Sequence, residues 1–127
     1  MRISARHNNF VMPDKSTERA GAFDIYMPED GSVSGHAPKP VGLGFAAEVP
    51  DGHVALILPR SEVGAKYGVE LNNTCGVIQP GFTGEWKVTL KTKTGATFHW
   101  EQEDKVLQFI VVPVANIKLE QVDELED

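Results

Sequence analysis

Apolar and polar residues alternate along most of this chain with a period of two, the period of half-buried β-strands. Phe23, Ile25 and Met27 alternate with Asp24 and Tyr26, which predicts a strand with one buried face and Asp24 turned to solvent. Leu43, Phe45, Ala47 and Val49 mark a second strand over residues 41–49. Pro50-Asp51-Gly52 is a turn, and His53 to Leu58 returns as a third strand. Trp86, Val88 and Leu90 face one way, and Glu85, Lys87, Thr89 and Lys91 the other. Lys93-Thr94-Gly95 turns the chain into a strand from Thr97 to Trp100. Val106 to Val114 is a mostly apolar run, suited to burial on both faces and interrupted by Gln108. Ile3 could open a first strand, and Ile117, Leu119 and Val122 could make a last one. Residues His7–Asn9 and Pro13–Arg19 read as loops, and Pro28–Pro40 as a loop rich in glycine and proline turns.

The helical signal is short. Leu56-Ile57-Leu58 reads as a strand that stops at Pro59, after which Ser61 can cap a helix through Tyr67, closed by Gly68 at C′. Arg60 and Ser61 then sit where free N–H groups favour phosphate. Further on, Val77-Ile78 and Trp86 to Leu90 predict a hairpin around Pro80-Gly81, with Asn73 just before it. A phosphate site at one end of this stretch and a tight hairpin at the other suggest a nucleotide. Many short strands with regular turns and one short helix predict an all-β sandwich or jelly roll. No internal repeat or low-complexity segment is visible.

Length and charge narrow the function. A chain of 127 residues is one domain with room for a sizeable core; we read it as residues 1–122, followed by an acidic tail over 123–127. The net charge of −6 argues against nucleic-acid or membrane-surface binding. Cys75 has no second cysteine to pair with, which fits a reducing, cytoplasmic setting, and it reads as a small apolar residue rather than a nucleophile. No apolar run is long enough to span a membrane, and the N-terminus has no signal-peptide pattern. His7, His36, His53 and His99 show no metal-ligand spacing and carry no assigned role.

The motifs Pro59-Arg60-Ser61 and Gly76-Val77-Ile78-Gln79-Pro80-Gly81-Phe82-Thr83-Gly84 resemble the second and third motifs of the trimeric dUTP pyrophosphatases, the dUTPases. Ala20-Gly21-Ala22-Phe23-Asp24 is similar to the first motif and Glu103-Asp104-Lys105-Val106-Leu107-Gln108 to the fourth; the resemblance runs from about residue 17 to about residue 122. It implies a distorted jelly roll and a homotrimer with active sites at subunit interfaces. It also implies dUTP as preferred substrate and Mg2+ bound with the triphosphate, organised through its waters by Asp24. By the same resemblance Arg60 and Ser61 hold phosphates, and Gln108 lies near the phosphates and the metal. Asn73 reads the uracil edge beside Gly76, and Phe82 packs on the deoxyribose. An amide offers both a donor and an acceptor, which suits uracil O4 and N3–H.

Several positions depart from the family pattern. Gln79 stands where the family has the aspartate that activates water, and a neutral amide cannot act as a general base. Glu62 replaces a glycine beside the phosphate site, Lys105 an arginine and Glu103 a glycine, and Phe82 a tyrosine. The glycine-rich fifth motif has no match in the acidic final residues. The expected function is therefore a dUTPase-type hydrolase of reduced activity, acting on dUTP or a modified deoxyuridine triphosphate. The alternative is a non-catalytic nucleotide- or protein-binding module on the same scaffold. A dCTP deaminase-like enzyme ranks third, because it needs a glutamate where Thr89 or Leu90 stands.

Overall fold

The structure, a computed structural model, describes every residue except His36, Thr94 and Asp127. One of the four histidines, the middle of the turn read at Lys93-Thr94-Gly95 and the last residue of the acidic tail thus lie outside the described residues. In chain order the elements are β1 (Ile3–Ala5), β2 (Phe23–Tyr26), β3 (Gly31–Ser34), β4 (Lys39–Gly42), β5 (Phe45–Ala47) and β6 (His53–Pro59). They continue with α1 (Ser61–Tyr67), β7 (Val69–Leu71), β8 (Gly76–Ile78), β9 (Lys87–Thr92), β10 (Thr97–Trp100) and β11 (Lys105–Pro113). A four-stranded sheet runs β2-β11-β6-β8 and a three-stranded one β4-β9-β7, with two further pairs, β1-β5 and β10-β3. All pairings are antiparallel. This is the mostly-β architecture with one short helix that the alternation predicts.

The inward residues of both larger sheets meet in one core. Ile25, Ile57 and Leu107 from one sheet and Leu71 and Leu90 from the other are fully buried. Trp86 sits among aromatic rings, 5.0 Å from Phe45 and edge-on to Phe109 at 5.2 Å. Its indole N–H is buried without a hydrogen-bond partner among the described residues. No described helix is long and apolar enough to cross a membrane.

Several expectations need correction. Residues 41–49 are not one strand: Gly44, at φ 82°, breaks the run, sending β4 to β9 and β5 to β1. A Cβ at Gly44 would lie 3.0 Å from Pro28 Cβ, so the break needs glycine. Val77-Ile78 and Trp86–Leu90 do not form a hairpin. β8 pairs with β6, and β9 with β4 and β7, so the Pro80-Gly81 turn carries the chain from one sheet to the other. The tight turn lies earlier, at Leu71–Thr74, where Thr74 N–H donates to Leu71 O at 2.9 Å. Ser61 does not cap α1; it is the first helical residue, and Arg60 holds the N-cap position without a side-chain cap. Pro59 belongs to β6, and Gly68 closes the helix in the left-handed region, φ 66°. The expected last strand is absent: Ile117 and Leu119 are 71% and 94% exposed and lie in no strand. The Pro28–Pro40 loop contains β3, whose Gly31 accepts the Trp100 ring so closely that a Cβ would overlap it. β11 is buried on both faces only at Val106-Leu107; from Ile110 to Val112 it is half-buried.

Candidate functional site

The register of the four-stranded sheet builds one end of the site. Gln108 on β11 pairs with Asp24 on β2 and, on its other side, with Leu58 on β6. Asp24 is 5% exposed, contrary to its solvent-facing assignment. A carboxylate removed from water needs partners, and it has two. Arg60 Nε lies 3.1 Å from Oδ1, and Lys105 Nζ lies 3.8 Å from Oδ2. Arg60 is fixed further by its own N–H, which donates to Val106 O at 3.0 Å, and by Nη1, which reaches Lys105 O at 3.5 Å. Using Nε on Asp24 directs the far end of the guanidinium fork away from the carboxylate. Gln108 Nε2 donates to Pro59 O at 3.1 Å, an amide satisfied by neighbouring backbone. Beside this cluster Tyr26 donates its hydroxyl to Asp14 at 2.8 Å. That hydrogen bond first, then burial and the nearby carboxylates, holds the phenol above its ordinary pKa. The Lys105 ammonium also lies over the Tyr26 ring, 5.4 Å from its centre.

The other end is the β7–β8 turn. Asn72 N–H donates to Thr89 O at 2.8 Å, and Cys75 N–H to Asn73 O at 2.8 Å, so the turn is held against β9. It opens a cleft of about 380 Å³ lined by Pro40, Leu71, Asn72, Asn73, Gly76 and Thr89 among others. Gly76 lets β8 approach β6; a Cβ there would stand 3.2 Å from Ile57 Cβ. Asn73 and Gly76, singled out from the sequence, are thus brought together. Asn72, Pro40 and Thr89 were not singled out. The Asn-Asn pair between two apolar runs carries a turn signal, whereas Pro40 reads only as loop punctuation.

Gln79 and Phe82 lie on the turn between the sheets and are both exposed, Phe82 by 44%. The Phe82 ring lies over Gly84, where a Cβ would stand 2.9 Å from it. Arg6 Nη2 donates to Thr83 O at 3.3 Å and ties the N-terminal segment to this turn. The chain does not bring Gln79 to Arg60. Gly76 is opposite Ile57 and Ile78 opposite Ala55, so β8 runs along β6 away from Arg60. At about 3.3 Å per residue, the segment from Ala55 to Arg60 separates them by roughly 16 Å.

Among the described residues no group of three or more His, Cys, Asp or Glu could enclose a metal ion. Asp24, whose two oxygens face Arg60 and Lys105, and Gln108 offer too few free donors to enclose a cation, which fits a Mg2+-like ion that keeps its waters and binds mainly through substrate phosphates.

Comparison with known proteins identifies the family and the fold. Residues 8–127 match the sequence model of the family described as dUTPase. The chain is 30% identical over 127 residues to the deoxyuridine 5'-triphosphate nucleotidohydrolase of Nautilia profundicola, covering 100% of this chain and 89% of that one. It is 31% identical to the enzyme of the same name from Ehrlichia canis, covering 98% and 83%. Among solved structures, a variant dUTPase of phage phi11 of S. aureus, described with a structural Mg(II) ion, superimposes with a TM-score of 0.89 at 21% identity, covering 99% and 98%. A variant Staphylococcus bacteriophage 80alpha dUTPase with dUpNHpp gives 0.88 at 20%, covering 99% and 97%.

Proposed function

Because the chain belongs to the dUTPase family, we propose that it hydrolyses dUTP, or a modified deoxyuridine triphosphate, to the monophosphate and diphosphate, more slowly than a member with aspartate at position 79. The observation that carries this reading is the buried Asp24 with Arg60 Nε on Oδ1 and Nη1 on Lys105 O, an arrangement that fixes the guanidinium and leaves Nη2 for phosphate. Ser61 adds a hydroxyl at the start of α1, and Gln108 stands one strand away. Asn73 pairs with the uracil edge in the cleft that it lines together with Gly76. The Phe82 ring packs on deoxyribose and disfavours a 2′-hydroxyl by bulk. Asp24 accepts from the water shell of a divalent cation, which we take to be Mg2+. When bound, that cation neutralises charge on the phosphates. Gln79 orients the attacking water without taking its proton, as a glutamine does in some GTPases. A nucleotide substrate and the free, half-buried Cys75 go with a cytoplasmic location.

A homotrimer with shared sites belongs to this reading. Gln79 and Arg60 lie toward opposite ends of β6 in one chain, so a second copy must supply one of them for both to reach a single triphosphate.

A second reading, a binder without turnover, is favoured by one observation: position 79 carries an exposed amide and no base. Gln79→Asp separates the two. With metal and triphosphate placed as proposed, the variant should hydrolyse dUTP at least about tenfold faster, since a general base is worth about 10²–10⁴-fold. Unchanged hydrolysis in a variant that still binds nucleotide would leave the non-catalytic binder as the better account.

A further inference from the structure

We propose that Lys105 is a positioning residue that holds the second oxygen of Asp24 while the site is free of nucleotide and releases it when a triphosphate and its cation arrive together. This rests on the reading of Asp24, Arg60 and Gln108 as the phosphate end. The two oxygens of Asp24 have unequal partners. Oδ1 is held by Arg60 Nε at 3.1 Å, and Arg60 is anchored again through its backbone N–H. Oδ2 is held by Lys105 Nζ at the looser distance of 3.8 Å, on a flexible side chain that is 37% exposed. The ammonium has a second support, the Tyr26 ring at 5.4 Å, and that ring is fixed by the bond from Tyr26 to Asp14.

Each oxygen of Asp24 already faces a cation, so a divalent cation arriving alone finds neither of them free. Asp14 keeps its negative charge, because the Tyr26 phenol that donates to it is neutral, but Asp14, Glu62 and Glu103 are all exposed to solvent, which screens them. Such a site disfavours a divalent cation arriving alone and attracts a polyphosphate. Once phosphate oxygens are present, the Lys105 ammonium can move to them on its flexible stem. Oδ2 is then free to accept a hydrogen bond from a metal-bound water. Arg60 stays in place because its anchorage does not depend on Oδ2. Metal entry thereby becomes conditional on the nucleotide, through a residue that need not touch the reacting atoms.

The test is Mn2+ binding to the nucleotide-free protein, read by electron paramagnetic resonance, together with binding of a non-hydrolysable dUTP analogue in metal-free buffer. Lys105→Met keeps the apolar stem and removes the charge. It should tighten Mn2+ binding about tenfold, the effect of removing one positive charge a few ångströms from a dication in a solvent-exposed setting. The same variant should weaken the analogue by a similar factor. Lys105→Arg should behave as the parent, and Lys105→Gln serves if the methionine variant does not fold. Mn2+ affinity within twofold of the parent in a folded, uncharged variant overturns the proposal. Arg60→Gln separates the two levels of the argument. If it weakens the analogue while Lys105→Met alters neither measurement, only the role of Lys105 falls. If neither substitution affects the analogue, the phosphate-end reading falls with it.

Discussion

Asp24 carries the clearest lesson at the scale of single residues. The alternation of β2 places it opposite Ile25, and in a sheet with one wet face that side would be solvent. Here the side chain meets Arg60 and Lys105, contributed by segments 36 and 81 positions later in the chain, and no local pattern records either contact. Asn73 was easier to find, because the residues around it carry the family resemblance, but its cleft includes Pro40 and Thr89, which only the folded sheet assembles. Asn73→Ala should weaken binding of the dUTP analogue by about 1–3 kcal/mol, the cost of leaving buried polar partners unpaired, and blunt its preference over the dTTP and dCTP analogues. Calorimetry showing an unchanged order of affinities would remove Asn73 from base recognition. Gly31 provides a test of packing: Gly31→Ala drives a methyl into the Trp100 ring and should destabilise the fold by about 1–3 kcal/mol in chemical denaturation.

At the scale of elements, long strands with clean alternation were legible and short ones were not. β9 and β6 were found close to their observed bounds, whereas β7, three residues between a helix cap and a turn, offers too few positions to establish a period. The misplaced hairpin has a similar cause. Pro80-Gly81 does form a turn, with Phe82 N–H donating to Gln79 O at 3.3 Å, but turn chemistry does not say which strand waits on the far side. The end of α1 was predictable because Gly68 needs φ 66°, and Gly68→Ala should lower stability by about 1–2 kcal/mol. β1 is tied to the residue after β5 by Arg2, whose Nε and Nη2 bond Glu48 at 3.0 and 2.8 Å. The hydrogen bond and then the charge of Arg2 hold the Glu48 carboxyl below its ordinary value of 4.5. A carboxyl depressed in the folded state stabilises above its unfolded pKa and loses that contribution as pH falls through the folded one. Amide exchange in β1 should therefore accelerate, relative to the core of β6, as the solution is acidified from neutral pH to below the glutamate range. Arg2→Ala should abolish that difference.

For the whole molecule, the jelly-roll class follows from strand count and turn spacing, while the division into two larger sheets and two pairs does not. It is decided by breaks such as Gly44, whose N–H is taken by Glu85 Oε2 at 3.0 Å, a contact across 41 positions of sequence. The separation of Gln79 from Arg60 along β6 makes assembly a functional question. Light scattering at micromolar concentration should give three times the monomer mass of 13.9 kDa. A stable monomer that still hydrolyses dUTP would refute the shared site. Trp86 has an optical consequence. Its indole is enclosed by Phe45 and Phe109, and its N–H finds no acceptor among the described residues, whereas Trp100 donates to Glu29 O at 3.1 Å. An excited indole relaxes by reorienting the dipoles around it, and Trp86 has few to reorient. The folded protein should thus show a blue-shifted emission component, resistant to added iodide, that disappears in Trp86→Phe and persists in Trp100→Phe, so that loss of the core can be followed without any label.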